Sequence, residues 1–325
     1  MTSVPPGAGQ RLPEAITDPV TGRRISLLDW KAANVRASWL LTLVMVALLG
    51  LLGWAVGYAI DPGLALVVMA IAVVFGLAQC VIAFYASDAM VLSVAGARPA
   101  TQREHRYLVN VSEAVALGAG VPTPRVYVID NPAPNAFATG RDPKHGTIAV
   151  TTGLMELLDR QELEGVVAHE IAHIRNYDIR FMSMLAATLG AIVLLRDVVL
   201  RAMRFGGVRG RRGGGSSGGG RGQAVALLLM VVLLVLAPLL ASALRMAVSR
   251  RREYLADATG AYITRNPEGL ARALEKLRDY RGAPLQLSEG VAHMLFSNPD
   301  AKRNANAAFA THPPIQERIN RLRRM

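Results

Sequence analysis

Four long apolar stretches dominate the pattern of the chain. The first two, Ser38 to Ile60 and Leu64 to Tyr85, are runs of 23 and 22 residues without a charge. As helices they would measure about 34 and about 33 Å, against a hydrocarbon core of about 30 Å. The pattern therefore predicts a transmembrane hairpin with its turn at residues 61–63.

Basic residues flank this hairpin on both sides, whereas its turn has none. They are Arg23, Arg24, Lys31 and Arg36 before it and Arg98, Arg103 and Arg106 after it. Because cytoplasmic segments are enriched in lysine and arginine, we expect both ends of the hairpin in the cytoplasm. The apolar run begins too late and is too long for a cleavable signal peptide.

The other two apolar stretches leave the topology open. Phe181 to Leu195 has 15 uncharged residues, and Ala224 to Leu244 has 21 with Pro238 among them. As helices they would be about 22 and about 31 Å long, so only the second is long enough for a full span. Residues 201–223 between them form a Gly/Ser-rich linker with six arginines. Either both stretches span, or both are shallow and keep this basic loop in the cytoplasm.

The remaining charged residues fall in two blocks, 89–180 and 245–325, which together have the size of one domain. Apolar residues recur at helical spacing in four of their segments, 102–117, 154–174, 255–280 and 315–324. Within 154–174, Asp159 is a candidate cap for a second helix. Two further segments alternate in polarity, are rich in β-branched residues and are predicted strands, 124–130 and 147–153.

Composition supports a membrane protein and excludes several other classes. The 325 residues are 52% hydrophobic and 18% charged, too apolar for an ordinary soluble domain. The net charge of +12 suits anionic lipid headgroups or nucleic acid, and the apolar runs favour lipid. The only cysteine, Cys80, excludes internal disulfides and four-cysteine zinc sites.

The strongest chemical signal is His-Glu-Ile-Ala-His at residues 169–173. Positions i and i+4 of a helix face the same side, so His169 and His173 can offer two imidazoles to one metal ion, with Glu170 beside them. Zinc with two histidines and a third protein ligand retains a position for water and lowers the pKa of that water to about 7. Glu170 is then the base that takes its proton. With only six histidines in the chain, a chance pairing on a charged helix face is the weaker interpretation.

Residues 252–257, Arg-Glu-Tyr-Leu-Ala-Asp, offer a third ligand on another helix. Glu253 can bind the metal, and Asp257, four residues later, can accept the remaining ring N–H of a ligating histidine. The alternative interpretation is a solvated acidic face next to the arginines at 250–252. Taken alone, this segment does not exclude that alternative.

Five segments of the chain agree in order and spacing with one combination of motifs. They are NPAPNAFATG at 131–140, TIAVTTGLMELL at 147–158, HEIAH at 169–173, EYLAD at 253–257 after an apolar hairpin, and THPPIQERINRL at 311–322. This combination resembles the HtpX family of membrane zinc metalloproteases, over most of the chain. The N-terminal 37 residues and the Gly- and Arg-rich loop 201–223 depart from that family.

The resemblance implies a zincin-like site of the gluzincin type. In such a site His169, His173 and Glu253 bind one zinc ion, Glu170 is the general base, and Asp257 supports a ligand. It also implies hydrolysis of peptide bonds in damaged or misassembled membrane proteins, as part of protein quality control and the stress response. The protein would be a multi-pass protein of the cell membrane with its catalytic domain and both termini in the cytoplasm.

The expected fold is thus a predominantly α-helical membrane protein with a cytoplasmic α+β zincin-like metalloprotease domain, made of a small β sheet and active-site helices. Its predicted parts are an N-terminal cytoplasmic segment 1–37, a transmembrane hairpin 38–88, the first half of the domain 89–180, an apolar hairpin 181–244 and the second half of the domain 245–325.

An oxyanion in the transition state requires a donor or positive group besides the metal. His312 and Arg318, on either side of the two prolines at 313–314, are the candidates. Alternatively, His312 caps or packs and Arg318 pairs with an acid. An extended substrate can add to the edge of a strand, and we predict that edge at Thr147 to Thr151. The predicted substrate contacts are Asn135, Ala136, Phe137, Ile148, Ala149 and Val150.

Other functions fit parts of the sequence. An endopeptidase that trims prenylated protein tails also uses an H-E-x-x-H site, but the few spans argue against the large chamber of such enzymes. The basic loop 201–223 can bind anionic lipid or nucleic acid, although only Phe205 is available for base stacking. A scaffold without turnover would lack part of the metal set, which is complete here. We expect membrane lipids and unfolded or misassembled proteins as partners, and no nucleic acid; the oligomeric state stays open.

Overall fold

The structure is a computed structural model of the chain. It describes residues 15–17, 22, 24–184, 250–282, 296 and 313–325. The third and fourth apolar stretches, the basic loop and His312 lie wholly or mostly outside the described residues, so the predictions made for them are not tested.

Two long helices pack as a hairpin, α1 (Leu27–Ile60) and α2 (Ala65–Val94), with a short 3-10 turn between them. Each contains a stretch long and apolar enough to cross a membrane, Leu28–Leu51 in the first and Pro62–Val94 around the second. Most of their large apolar side chains are exposed. This is the arrangement that the first two apolar runs predict.

Glycines on α1 allow the two helices to approach closely. A Cβ at Gly53 would lie 2.5 Å from the Cβ of Ala72, and one at Gly57 would lie 2.8 Å from the Cα of Ala65. Small residues at a helix interface serve this purpose in membranes, where packing rather than water exclusion holds helices together.

The first helix begins well before the uncharged run that starts at Ser38. Its first three turns are continuous with the apolar part, so no break in secondary structure separates an N-terminal segment from the hairpin. A small antiparallel pair of strands, β1 (Ala15–Thr17) and β2 (Arg24–Ser26), precedes it.

A four-stranded mixed sheet forms one layer of the second part of the molecule. Its strands are β3 (Arg98–Pro99), β4 (Arg125–Ile129), β5 (Ala136–Thr139) and β6 (Thr147–Thr151), in the order β3-β4-β6-β5. The pair β4 and β6 is parallel, and the two outer pairs are antiparallel. Both strands predicted from the alternating pattern, β4 and β6, are confirmed.

Helices cover this sheet and carry the motifs. In chain order they are α3 (Arg106–Ala119), α4 (Thr152–Leu157), α5 (Arg160–Arg175), α6 (described over 178–184), α7 (Arg250–Thr264), α8 (Pro267–Asp279) and α9 (Ile315–Leu322). The helical stretches predicted from periodicity are confirmed, and two of them are each divided into two helices.

The two divisions have local causes. The helical segment 154–174 is divided at Asp159, which confirms the predicted cap. Its carboxylate accepts from the backbone N–H of Glu162, and the Glu162 side chain accepts from the backbone N–H of Asp159. This capping box starts α5. The predicted helix 255–280 breaks at Arg265, which adopts a φ of 53°, and Asn266 and Pro267 then start α8.

The buried core lies around α5, which packs against the sheet on one side and against α3, α7 and α8 on the others. Eleven of its residues are buried, most of them with no exposed surface. The described structure is therefore mostly helical with a small mixed sheet, as predicted, and its central helix is the one that carries the histidine motif.

Candidate functional site

The central helix presents three polar side chains to one buried space. His169 and Glu170 are 1% and 2% exposed, and His173 lies one turn further along α5. The two imidazole rings meet edge to face, with their centroids 4.7 Å apart and their Nε2 atoms 3.1 Å apart. This is the geometry that the i and i+4 spacing predicts for two metal ligands.

Helix α7 brings a third donor to the same place. The carboxylate of Glu253 lies 3.8 Å from His169 Nε2 and 3.6 Å from His173 Nε2. One donor atom from each of the three residues lies within 4.8 Å of the others. A close approach of the helices makes this possible, because the bare Cα of Gly260 on α7 lies against the backbone of His169.

Each imidazole has one carboxylate at its other nitrogen, Nδ1. Asp257 Oδ1 lies 2.9 Å from His169 Nδ1, and Asp178 Oδ2 lies 3.0 Å from His173 Nδ1. Each Nδ1 therefore donates its proton to a carboxylate, and both Nε2 lone pairs point into the same space. Two lone pairs this close repel each other unless a cation or a proton lies between them, so the donor set fits a metal ion.

Asp257 accepts the ring N–H of a ligating histidine, as predicted, whereas Asp178 was not predicted from the sequence. It follows the end of α5 after Tyr177, a non-glycine residue with a φ of 61°. The only signal for it was an acidic residue shortly after the motif. The turn at Tyr177 folds back toward His173 and places the Asp178 carboxylate beside its imidazole.

The site shifts the pKa of each titratable group in a way that suits its position. Burial lowers the pKa of His169 to about 4, which keeps its imidazole neutral. Burial also raises the pKa of Glu170 to about 7. For His173 burial lowers the pKa, but the hydrogen bond to Asp178 and the charge of Glu253 outweigh it and raise the pKa to about 9.

Arg318 on α9 lies behind the site, paired with an acid. It donates from Nε to Asp257 Oδ2 over 2.8 Å and from Nη2 to Oδ1 over 2.7 Å, and it is only 1% exposed. Its Nη1 is 3.4 Å from Glu253 Oε2. The structure thus shows the ion pair that the sequence analysis held as the alternative to an oxyanion role. His312, its predicted companion, is outside the described residues.

The prediction that Thr147–Thr151 forms an edge strand is wrong. This strand, β6, pairs with β4 on one side and with β5 on the other, so no backbone remains for a substrate. Its predicted contact residues Ile148, Ala149 and Val150 have no exposed surface. The error arose because the four-residue strand β5 has too short a pattern to be recognised.

The outer strand on this side of the sheet is β5, which includes two of the other predicted substrate residues. Ala136 and Phe137 lie in β5 and Asn135 precedes it, and all three are buried. The backbone N–H of Ala138 donates to the carboxylate of Glu170, so β5 runs next to the predicted base. The carbonyl of Ala136 accepts from the backbone N–H of Phe296 over 2.8 Å.

Phe296 also contacts one of the metal donors, His169, from the side. Its ring meets the His169 ring edge to face with centroids 5.0 Å apart, and the Arg318 guanidinium lies over the same ring at 5.1 Å. Phe296 could not be predicted from the sequence, because a single aromatic residue forms no pattern of spacing with its neighbours.

The sequence profile of peptidase family M48 matches residues 102–325, which include every residue of the site described above. The chain belongs to peptidase family M48. The M48 assignment confirms the resemblance found in the sequence, and with it a metal-dependent protease whose His169, His173 and Glu253 can hold the metal.

Relatives of this M48 protein match it over nearly their whole length. A protein described as "Protease HtpX homolog" from Thermoanaerobacter pseudethanolicus is 44% identical over 92% of this chain and 98% of its own. One with the same description from Streptococcus gordonii is 40% identical over 92% of this chain and 100% of its own. The M48 protein is thus a membrane metalloprotease of the HtpX type, which the two apolar helices of the hairpin fit.

A solved structure also shows similarity. The crystal structure of Ste24p from S. mikatae covers 77% of this chain and 57% of its own, with 22% identity and a TM-score of 0.47.

Proposed function

We propose that this metalloprotease is a zinc endopeptidase in which His169, His173 and Glu253 hold the metal and Glu170 is the general base. The observation that carries the proposal is the convergence of two imidazole lone pairs and one carboxylate beside a buried glutamate. Two histidines and a glutamate are a frequent catalytic zinc set. When bound, zinc supplies a Lewis acid that polarises the scissile carbonyl and acidifies water.

Glu170 has the properties of a base that works near neutral pH. Burial raises its pKa to about 7, in the range that suits a group that accepts a proton and gives it back near neutral pH. The N–H of Ala138 on β5 orients its carboxylate. The carbonyl of Ala136 on β5 is already hydrogen-bonded to Phe296, so a substrate strand along the outer side of β5 would first have to displace Phe296.

The proposal extends to the side of the membrane and the substrates. The basic residues on both sides of the hairpin support a cytoplasmic catalytic domain. The first turns of α1 contact the turn after α5, as Lys31 lies over the Tyr177 ring at 4.5 Å, which supports a site close to the membrane surface. Misassembled membrane proteins, with segments exposed at that surface, are the substrates we propose, and lipids are the immediate neighbours.

The test compares the purified full-length protein in detergent with Glu170→Gln, which keeps the size of the side chain and removes its basicity. We expect both proteins to hold one zinc ion per chain by elemental analysis. Casein cleavage by the variant should fall by about 100- to 10,000-fold, since general-base catalysis contributes that much. Cleavage at the parental rate would refute the role of Glu170, and the absence of zinc from the active parental protein would refute the choice of metal.

A further inference from the structure

A polar side chain of the first membrane helix lies buried near the metal donors. Asn34 belongs to the candidate span Leu28–Leu51 of α1 and is only 2% exposed. A buried amide is costly unless its hydrogen bonds are made, and in a membrane helix it faces the protein interior. Its partners therefore indicate what the residue does.

Both partners of Asn34 lie in the turn that follows α5. Its Nδ2 donates to Asp178 Oδ1 over 2.7 Å and to the carbonyl of Asn176 over 2.9 Å. The two acceptors are 144 and 142 residues away in sequence, so this contact joins the hairpin to the protease domain. The amide uses its two N–H groups to hold one carboxylate and one backbone carbonyl.

The carboxylate that Asn34 holds is the one that holds a metal donor. Asp178 Oδ2 accepts from His173 Nδ1 over 3.0 Å, and His173 Nε2 faces Glu253 and His169. A continuous path of hydrogen bonds therefore runs from α1 through Asp178 to His173. Partners of this kind orient a ligating imidazole and fix which of its nitrogens carries the proton.

Of the contacts that Asp178 Oδ1 makes with residues that the structure describes, the one with Asn34 Nδ2 is the shortest, at 2.7 Å. The nearest cation, Arg252, has its Nη1 3.8 Å away, beyond hydrogen-bond distance. Tyr177, between the two acceptors, has a φ of 61°, a conformation that costs about 1 to 2 kcal/mol for a residue with a Cβ. A turn of this kind needs support from its neighbours, and Lys31 and Asn34 of α1 supply contacts to it.

We propose that Asn34 is a positioning residue of the metal site: from the first membrane helix it fixes the Asp178 carboxylate, and through it the imidazole of His173. This rests on the proposed function, in which His173 binds the metal. The docking of the hairpin then completes the surroundings of the ligand, and zinc affinity depends on a residue of the membrane helix.

The test measures zinc affinity of the full-length protein in detergent by competition with a chromogenic chelator. We expect Asn34→Ala to weaken zinc binding about 3- to 10-fold, less than the range of about 10- to 100-fold seen when a direct partner of a ligand is changed. Asn34→Asp has nearly the same shape but sets a second carboxylate against Asp178. We expect it to weaken zinc binding at least as much as Asn34→Ala.

Ser38→Ala is the matched control. Ser38 lies one turn later on the same buried face of α1, and its hydroxyl donates to the Asn34 carbonyl over 2.9 Å rather than to the turn. We expect its zinc affinity to stay within about twofold of the parental value, because the hydroxyl has no part in the path to His173.

A double-mutant cycle separates positioning from a general loosening of the hairpin. If Asn34 acts through Asp178, Asn34→Ala changes zinc affinity by less than about twofold when Asp178→Asn is already present. The inference would be overturned if the double variant lost zinc affinity by the full product of the two single losses. It would also be overturned if Asn34→Asp bound zinc with the parental affinity.

The same cycle on metal-free protein, followed by thermal unfolding, measures the Asn34–Asp178 contact without any metal. Non-additive losses of stability are expected, since the two side chains share a hydrogen bond. Additive losses would overturn the inference whether or not the protein binds zinc. Failure of every variant, including the parental chain, to bind zinc would instead refute the proposed metal.

Discussion

The two histidines of the site are four residues apart on one helix, but the supports behind them differ. Behind His169 stands Asp257, held by the buried guanidinium of Arg318 in a two-point ion pair. Behind His173 stands Asp178, held by the neutral amide of Asn34. One support lies wholly within the protease domain, and the other reaches into the membrane hairpin.

This difference contributes to the opposite pKa shifts of the two imidazoles, of which His169 is 1% and His173 16% exposed. Burial lowers the pKa of His169 to about 4, and the charge of Arg318 acts in the same direction, against the hydrogen bond and charge of Asp257, which raise it. Burial also acts on His173, but the hydrogen bond to Asp178 and the charges of the surrounding carboxylates raise its pKa to about 9. Among the described residues, the cation nearest to Asp178 is Arg252, at 3.8 Å. The hydrogen bonds and charges around each imidazole, together with burial, therefore shift the two pKa values in opposite directions.

The largest effect is expected from Arg318→Met, which removes the cation behind Asp257. Asp257 and Glu253 would then be buried carboxylates without their shared cation, a loss of about 3 to 5 kcal/mol in the free energy of unfolding. Unfolding of the metal-free protein in detergent measures it.

Arg323→Met is the control for that variant. Arg323 pairs with Glu268 and Glu275 at the surface, where an ion pair contributes about 1 kcal/mol or less. Equal losses of stability in the two variants would contradict the assignment of Arg318 as the buried support.

Asp178→Asn is expected to have the next largest effect, on zinc rather than on the fold. It keeps the shape behind His173 but removes the charge, and it should weaken zinc binding by about 10- to 100-fold. Asp178→Asn also lowers the pKa of His173, so near neutral pH protons compete less with zinc for His173 in the variant than in the parental protein. This weaker competition offsets part of the loss of zinc affinity near neutral pH. Chelator competition should therefore show the greater loss above about pH 9, and a loss that is greater near neutral pH would count against this account.

The pH dependence of zinc binding follows from the same asymmetry. Zinc binds neutral imidazole, so a His173 pKa of about 9 in the metal-free protein means that zinc must displace a proton below that pH. Glu170 has lost its proton above its pKa of about 7, so between about pH 7 and pH 9 the proton that changes is the one on His173. Because zinc binding releases this one proton, the apparent zinc affinity should rise about tenfold per pH unit up to about pH 9. Affinity measured across this interval tests it, and a flat profile would show that His173 is already neutral.

The smallest effect is expected from Arg252→Gln, the counterpart of the Arg318 variant. Arg252 lies 3.8 Å from Asp178 without a hydrogen bond and stacks over Phe181 at 4.9 Å. Loss of that stacking costs about 1 kcal/mol, and zinc affinity should change less than in Asp178→Asn. If Arg252→Gln destabilises the protein as much as Arg318→Met, the two supports do not differ as described.

Much of the site was within reach of the sequence because its geometry is helical. His169, Glu170 and His173 share one face by the period of the helix, and the same arithmetic joined Glu253 to Asp257. Asp178 was missed for a related reason. Five residues beyond His173 on a continued helix it would point away, and only the left-handed turn at Tyr177 brings it back.

The remaining errors and omissions concern contacts that no local pattern encodes. The outer position of β5 depends on how four short strands pair, so β6 was mistaken for the edge. Asn34 was one polar residue before an apolar run, and its partners lie more than 140 residues further along the chain. Arg318 was selected for another role, because nothing in the sequence shows that Asp257 is its neighbour.

Gly260 sets a limit on what this active site can tolerate. Any side chain there would bring a Cβ to 3.0 Å from the backbone nitrogen of His169 and 3.3 Å from its Cα, which is tighter than ordinary packing allows. Since both neighbours are main-chain atoms, the backbones of α5 and α7 would have to move apart by a few tenths of an ångström. Even a single methyl group at position 260 would therefore change the distance between the Glu253 carboxylate and the two imidazoles, although Gly260 lies two turns after Glu253 on α7.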